Sequence, residues 1–158
     1  MRRRSLLACG AAWPMGAGAD APALVRQAEA GDLAALRRLL DAGVPVDTRD
    51  ARRRTALLAA THANHIDVAR LLIQRGADVN AKDEMQDSPF LYAGAEGRLE
   101  ILRLTLGAGA DLKSTNRYGG TALIPAAHHG HVETVRELLK TGIDVDHAIL
   151  AETGAGLA

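Results

Sequence analysis

Gly76-Ala77-Asp78-Val79-Asn80-Ala81-Lys82-Asp83 is one rung of a ladder. Gly43, Gly109 and Gly142 stand in a 33-residue register with Gly76, and Asp50 and Asn116 keep that interval from Asp83. Thr55, Ser88 and Thr121 hold the same spacing, as do the pairs Asp78-Val79, Asp111-Leu112 and Asp144-Val145. Self-similarity at such a period marks a solenoid, in which each unit buries its apolar face only against its neighbours. A stacked array offers a long concave surface instead of an enclosed pocket, so the repeat points to a binding module.

Within each register the chemistry is that of two helices and a turn. Thr55 precedes Ala56-Leu57-Leu58-Ala59-Ala60 and is placed to cap the free N–H groups of a first helix. Asn64 ends that helix, where the left-handed conformation is needed, and Gly31, Gly97 and Gly130 hold the place in other units. Second helices are predicted from Ile66 to Ile73, Leu99 to Leu106 and Val132 to Leu139, with apolar residues at three- and four-residue steps. Gly76, Gly109 and Gly142 stop them, and a short polar segment then projects toward the next unit.

A helix–turn–helix followed by a projecting turn, repeated at this period, resembles the ankyrin-repeat family. Thr121-Ala122-Leu123-Ile124-Pro125-Ala126-Ala127 stands where that family has T-P-L-H-x-A-A, and Gly130-His131-Val132-Glu133-Thr134-Val135 where it has G-H-x-E-x-V. Gly76-Ala77-Asp78-Val79-Asn80 matches G-A-D-V-N unchanged, and Ser88-Pro89-Phe90-Leu91 keeps the opening proline. The resemblance implies an all-α ankyrin-repeat solenoid of stacked helix-turn-helix units with projecting β-hairpin-like turns. It covers residues 20–147, as a partial unit 20–49 and full units 50–82, 83–115 and 116–147, with an irregular tail at 148–158.

The first 19 residues have a different character. Met1-Arg2-Arg3-Arg4 leads into a weakly apolar stretch from Ser5 to Gly16, then Ala17-Gly18-Ala19 before Asp20, the order of a signal peptide. Arg3-Arg4-Ser5-Leu6-Leu7 also resembles a twin-arginine export motif. Leu6-Leu7-Ala8-Cys9 looks like a lipoprotein box, but the apolar segment before Cys9 is too short for it. A poorly ordered leader is the alternative. The expected location is periplasmic or secreted, with a cytoplasmic adaptor as the second option.

Composition narrows the partners. Lys and Arg number 19 and Asp and Glu 19, so the formal net charge of zero gives no electrostatic argument for nucleic acid or an anionic membrane. No stretch approaches the length of a transmembrane helix. With 3% aromatics, the core must be a close Ala/Leu packing. Cys9 is the sole cysteine and excludes an internal disulfide.

Three departures from the repeat carry expectations. Pro125 lies inside the fourth unit's first helix, which should start late or bend. Thr105 and Gly107 should make the third unit the softest inner one. Register is lost after Asp146, so Val135, Leu138 and Leu139 are expected to lack cover, leaving a monomer or weak self-association through that uncapped end. The first unit, by contrast, carries a polar outer face of Arg26, Gln27, Glu29, Arg37 and Arg38.

No catalytic signature is present: no G-x-S-x-G, phosphate-binding loop or H-E-x-x-H. The sequence therefore predicts a non-enzymatic protein with no cofactor. His128, His129 and His131 offer a metal-ligand alternative, against which stand the turn at Gly130 and the lack of cysteine. His131 and His65 share a repeat position and are expected to bond turns. The resemblance further implies that another protein binds along the projecting turns and the adjacent first-helix ends. Carried over by position, the partner-binding residues are Arg52, Arg54 and His62; then Glu84, Met85, Asp87 and Glu96; then Arg117, Tyr118, His128 and His129. That groove runs from basic through acidic to an aromatic and histidine end, with Tyr118 and Arg117 as its expected hot spot.

Overall fold

The computed structural model describes residues 17–145, so the leader up to Gly16 and the tail from Asp146 lie outside the described residues. The described chain forms four helix pairs: α1 (Ala17–Ala30) with α2 (Leu33–Asp41), α3 (Ala56–Ala63) with α4 (Ile66–Gln74), α5 (Pro89–Ala95) with α6 (Leu99–Gly107), and α7 (Leu123–His128) with α8 (Val132–Lys140). Successive pairs stack, so that α3 lies between α1 and α5, and α5 between α3 and α7. The first-helix row and the second-helix row each run the length of the array.

Local chemistry sets the boundaries. Thr55 Oγ1 accepts from Leu58 N at 3.2 Å, and Ser88 Oγ from Leu91 N at 3.1 Å, capping α3 and α5. At the other end of α4, Gly76 takes φ +88° and the Ala77 N–H returns to the Leu72 carbonyl at 3.0 Å. This left-handed stop, repeated at Gly43, Gly109 and Gly142, frees the chain to leave the helix axis.

The core is continuous from unit to unit. Leu24, Leu36, Leu57, Leu72, Phe90, Leu102 and Leu138 are fully buried, and alanines fill the space between helices. Gly94 permits a close approach between units, since a Cβ there would lie 2.8 Å from that of Ala122.

Thr105 is fully buried, its hydroxyl donating to the Leu102 carbonyl at 2.8 Å; α6 is as long as α4 and α8, while α5 is one residue shorter than α3. The expected lack of cover on α8 holds only in part. Leu138 is also buried, and Val135 packs against the core; Val132 (57% exposed) and Leu139 (48%) are the uncovered apolar residues of α8.

Pro125 has the expected effect. In the other units the residue four past the cap donates back to the cap carbonyl: Ala59 N to Thr55 O and Tyr92 N to Ser88 O. Pro125 has no N–H to do so. Helix α7 begins one register position late, and Thr121 Oγ1 is buried without a hydrogen-bond partner.

Candidate functional site

The projecting turns share one construction. Asp50, Asp83 and Asn116 each use a single Oδ1 to accept two backbone N–H bonds. Those donors are Arg52 and Arg54 at 2.9 Å, Met85 and Asp87 at 2.9 and 3.0 Å, and Tyr118 and Gly120 at 2.9 and 3.1 Å. Asp and Asn are interchangeable for the turn itself because it uses only Oδ1, although at Asp50 the second oxygen also accepts from Arg54 Nε at 2.9 Å. Arg53, Gln86 and Gly119 take positive φ, and the two residues before each stand exposed at the tip.

Neighbouring turns are tied together. Glu84 N donates to Arg52 O at 3.2 Å, and Lys82 Nζ to Thr115 O at 2.7 Å. Asp47 Oδ1 accepts from Asp78 N at 3.0 Å, and Asn80 Oδ1, one register later, from Asp111 N at 2.8 Å. Equivalent tips therefore form a row: Arg52, Met85, Tyr118.

The sequence-predicted residues divide along that row. Arg52 and Glu84 are exposed at tips. Arg54 is turned inward, its side chain only 15% exposed, bonded to Glu29 at 2.8 Å and Asp50 at 2.9 Å. It anchors the second-unit turn to α1 and is not a free contact residue. Burial alone would raise the Asp50 carboxyl, but the backbone and guanidinium of Arg54 and the Arg52 N–H outweigh it and hold the group below its usual range.

Met85 is 41% exposed and lies 3.5 Å from Arg117 Nη1, whose guanidinium also covers the Tyr118 ring at 4.9 Å. Arg117 thus links two tips through a thioether and a cation–π contact. Tyr118 is 77% exposed, the most open large hydrophobic side chain among the described residues. Asp87 is partly buried; burial and then Asp83 and Glu96 push its carboxyl up, opposed by Arg117. Glu96 is exposed at the end of α5.

His62 sits deeper than its place at a helix end implies. Its ring centroid is 4.1 Å from that of Tyr92, and its buried Nε2 has no hydrogen-bond partner. Burial, then Arg54 and Arg98, hold the imidazole below its ordinary value, against a pull from Asp83 and Glu29.

At the far end, Asn116, Tyr118, Gly120, Ile124, Pro125, His128 and His129 line a cleft of about 390 Å³. The structure thus brings together Tyr118, His128 and His129, as the repeat register implied. It adds Ile124 and Pro125, whose helical positions gave no sign of access. The available signal was the loss of side-chain size across Arg54, Asp87 and Gly120, which share one repeat position.

The remaining histidines build turns. His65 Nε2 donates to the Glu29 carbonyl at 3.1 Å, and His129 Nδ1 to the Ala95 carbonyl at 2.9 Å. His131 packs on Gly97, where a Cβ would fall 2.6 Å from the ring. The His128–His129 and His129–His131 rings lie 6.3 and 5.9 Å apart at steep angles, and among the described residues no three ligand side chains are placed to hold a metal ion. In this cluster His129 bonds a carbonyl and His131 packs on a glycine.

Comparison with known proteins agrees with this geometry. A family model described as ankyrin repeats (3 copies) matches residues 5–83, 24–115 and 90–154. The chain is 52% identical to a crystallised ankyrin repeat domain from Acinetobacter baumannii AYE, over 83% of this chain and 72% of that one, with a TM-score of 0.75. It is 45% identical to the ankyrin repeat protein EF0377, over 77% of this chain and 62% of that one, with a TM-score of 0.72. No curated protein sequence matches the chain. No helix among the described residues is long and apolar enough to cross a membrane.

Proposed function

The chain belongs to the ankyrin-repeat family, and from that premise we propose that it is a non-enzymatic module that binds another protein along its row of projecting turns, outside the cytoplasm. Repeats of this family are generally protein–protein interaction modules. The observation that carries the surface is the row of tips itself. Three turns have one backbone, and at the same position they present Arg52, Met85 and Tyr118 to solvent. A fixed frame with unlike exposed side chains is what selective recognition of one partner requires.

Tyr118 beside Arg117 supplies the rigid, amphipathic contact that dominates interface energetics. The balanced charge gives nucleic acid no electrostatic foothold. Export rests on the leader alone, residues 1–19.

The test joins Tyr118→Ala to Arg117→Ala and compares capture of partner from an envelope extract. Capture should fall about tenfold or more, with helical circular dichroism unchanged. Undiminished capture by the double variant removes this surface from consideration. Fractionation with mass measurement of the mature N-terminus decides location: an intact chain in the cytosol would replace the exported reading with a cytosolic adaptor.

A further inference from the structure

Resting on that reading of the concave face, we propose that the fourth-unit cleft receives a bulky apolar side chain of the partner protein, presented from an acidic segment. The cleft exists because the repeat is broken at two positions. Where the second unit has Arg54 and the third has Asp87, the fourth has Gly120. A Cβ at Gly120 would meet the side chain of Ile124, its Cδ1 at 3.0 Å and its Cβ at 3.6 Å, and Asn116 Oδ1 at 3.8 Å. Where the third unit places Tyr92, packed on His62 at 4.1 Å, the fourth has the smaller Pro125.

Both third-unit fillings are thus missing, and about 390 Å³ is left between Tyr118, Ile124 and Pro125. That volume suits one large side chain or two small ones. Its walls are an aromatic face, an aliphatic branch and a proline ring, which gain by excluding water from an apolar group.

Arg117, fixed over Tyr118, gives the sign of the flanking charge, and His128 and His129 are among the lining residues. No carboxylate lines the cleft; Asp87 and Glu96 belong to the third unit. The position that is acidic one unit earlier is here glycine. A partner segment carrying Glu or Asp beside the inserted residue meets complementary charge, whereas a lysine-rich one meets like charge.

Fluorescein-labelled peptides with one central leucine or phenylalanine, flanked by glutamates or by lysines, are titrated with the full chain and read by anisotropy. Glutamate-flanked peptides should bind about tenfold or more tighter than lysine-flanked ones, and replacing the apolar residue by serine should cost a similar factor. Gly120→Gln fills the cleft and leaves the Asn116 turn intact, since that turn uses only backbone groups of Gly120, its N–H donating to Asn116 Oδ1 and its carbonyl accepting from the Asn116 N–H. It should abolish the preference. If Gly120→Gln does not fold by circular dichroism, Ile124→Ala with Arg117→Gln serves instead and should lose the same preference.

Equal binding of the two peptide sets, or binding indifferent to the cleft variant, overturns the proposal. So does a dimer in sedimentation that Gly120→Gln dissolves, since the occupant would then be a second copy. Partner capture that falls with Arg52→Glu but not with Gly120→Gln removes the cleft while keeping the concave surface. Capture indifferent to both removes the two together.

Discussion

Protonating His62 would set a cation near Arg54 and Arg98 in a partly buried site, where its Nε2 meets no acceptor. The folded protein therefore binds this proton less tightly than the unfolded chain, whose imidazole has the ordinary value of 6.5. Stability contributed by the neutral ring is complete above 6.5 and drains as pH falls through that value toward the lower folded one. Thermal denaturation of the wild type should lose more Tm between pH 7.5 and 5 than that of His62→Phe. The variant keeps a ring against Tyr92 and removes the titration. Parallel pH profiles would mean that His62 carries no such linkage. Arg54 illustrates how much a single position depends on its surroundings. Its register marks it as a groove residue, but Glu29, from the partial first unit, draws it inward. That pairing crosses 25 residues and follows no repeat spacing, so sequence alone does not reveal it.

At the scale of elements, like residues in like registers behave alike only while the backbone permits. Thr55 and Ser88 cap their helices as their types predict. Thr121 has the same type and place, yet its hydroxyl is unbonded: Pro125 cannot donate to the Thr121 carbonyl, the first turn is not closed, and the Ile124 N–H is not brought to the hydroxyl. Replacing Pro125 with alanine, the residue of the second unit, should supply the N–H that Ala59 donates to the Thr55 carbonyl there, close the turn on the Thr121 carbonyl and let α7 begin a residue earlier. We expect a gain of about 1 kcal/mol, less than the roughly 3 kcal/mol of a proline deep in a helix, since this one lies near the helix start. Chemical denaturation measures it; an unchanged or lower midpoint would show that proline's restraint of the unfolded chain outweighs the missing donor. The glycine stops, the Asp/Asn turns and the helix spans were legible because each is a local solution to backbone bonding. The cleft was not, because it is a volume left between elements. Gly120 reads in sequence as a flexible turn residue, and only stacking shows that its missing side chain opens a wall of Ile124 and Pro125.

Across the whole molecule, stability is a sum of unit terms and nearest-neighbour interfaces, so it varies along the array. The second and third units lie between neighbours and hold the fully buried Leu57, Leu58, Leu72, Phe90, Ile101 and Leu102. The fourth has a shortened first helix, and Val132 and Leu139 of α8 are exposed. Local opening should therefore begin at the fourth pair and reach the centre last. Amide hydrogen exchange on the full chain tests this directly. Amides of α7 and α8 should exchange about tenfold or more faster than those of α3 to α5, with α1 and α2 between. The partner proposed for the Tyr118 cleft would bind this least stable unit, and its binding should slow exchange there more than at the centre. Uniform protection along the array would instead mean that the four pairs open as one cooperative body, and the gradient from centre to fourth unit would have to be abandoned.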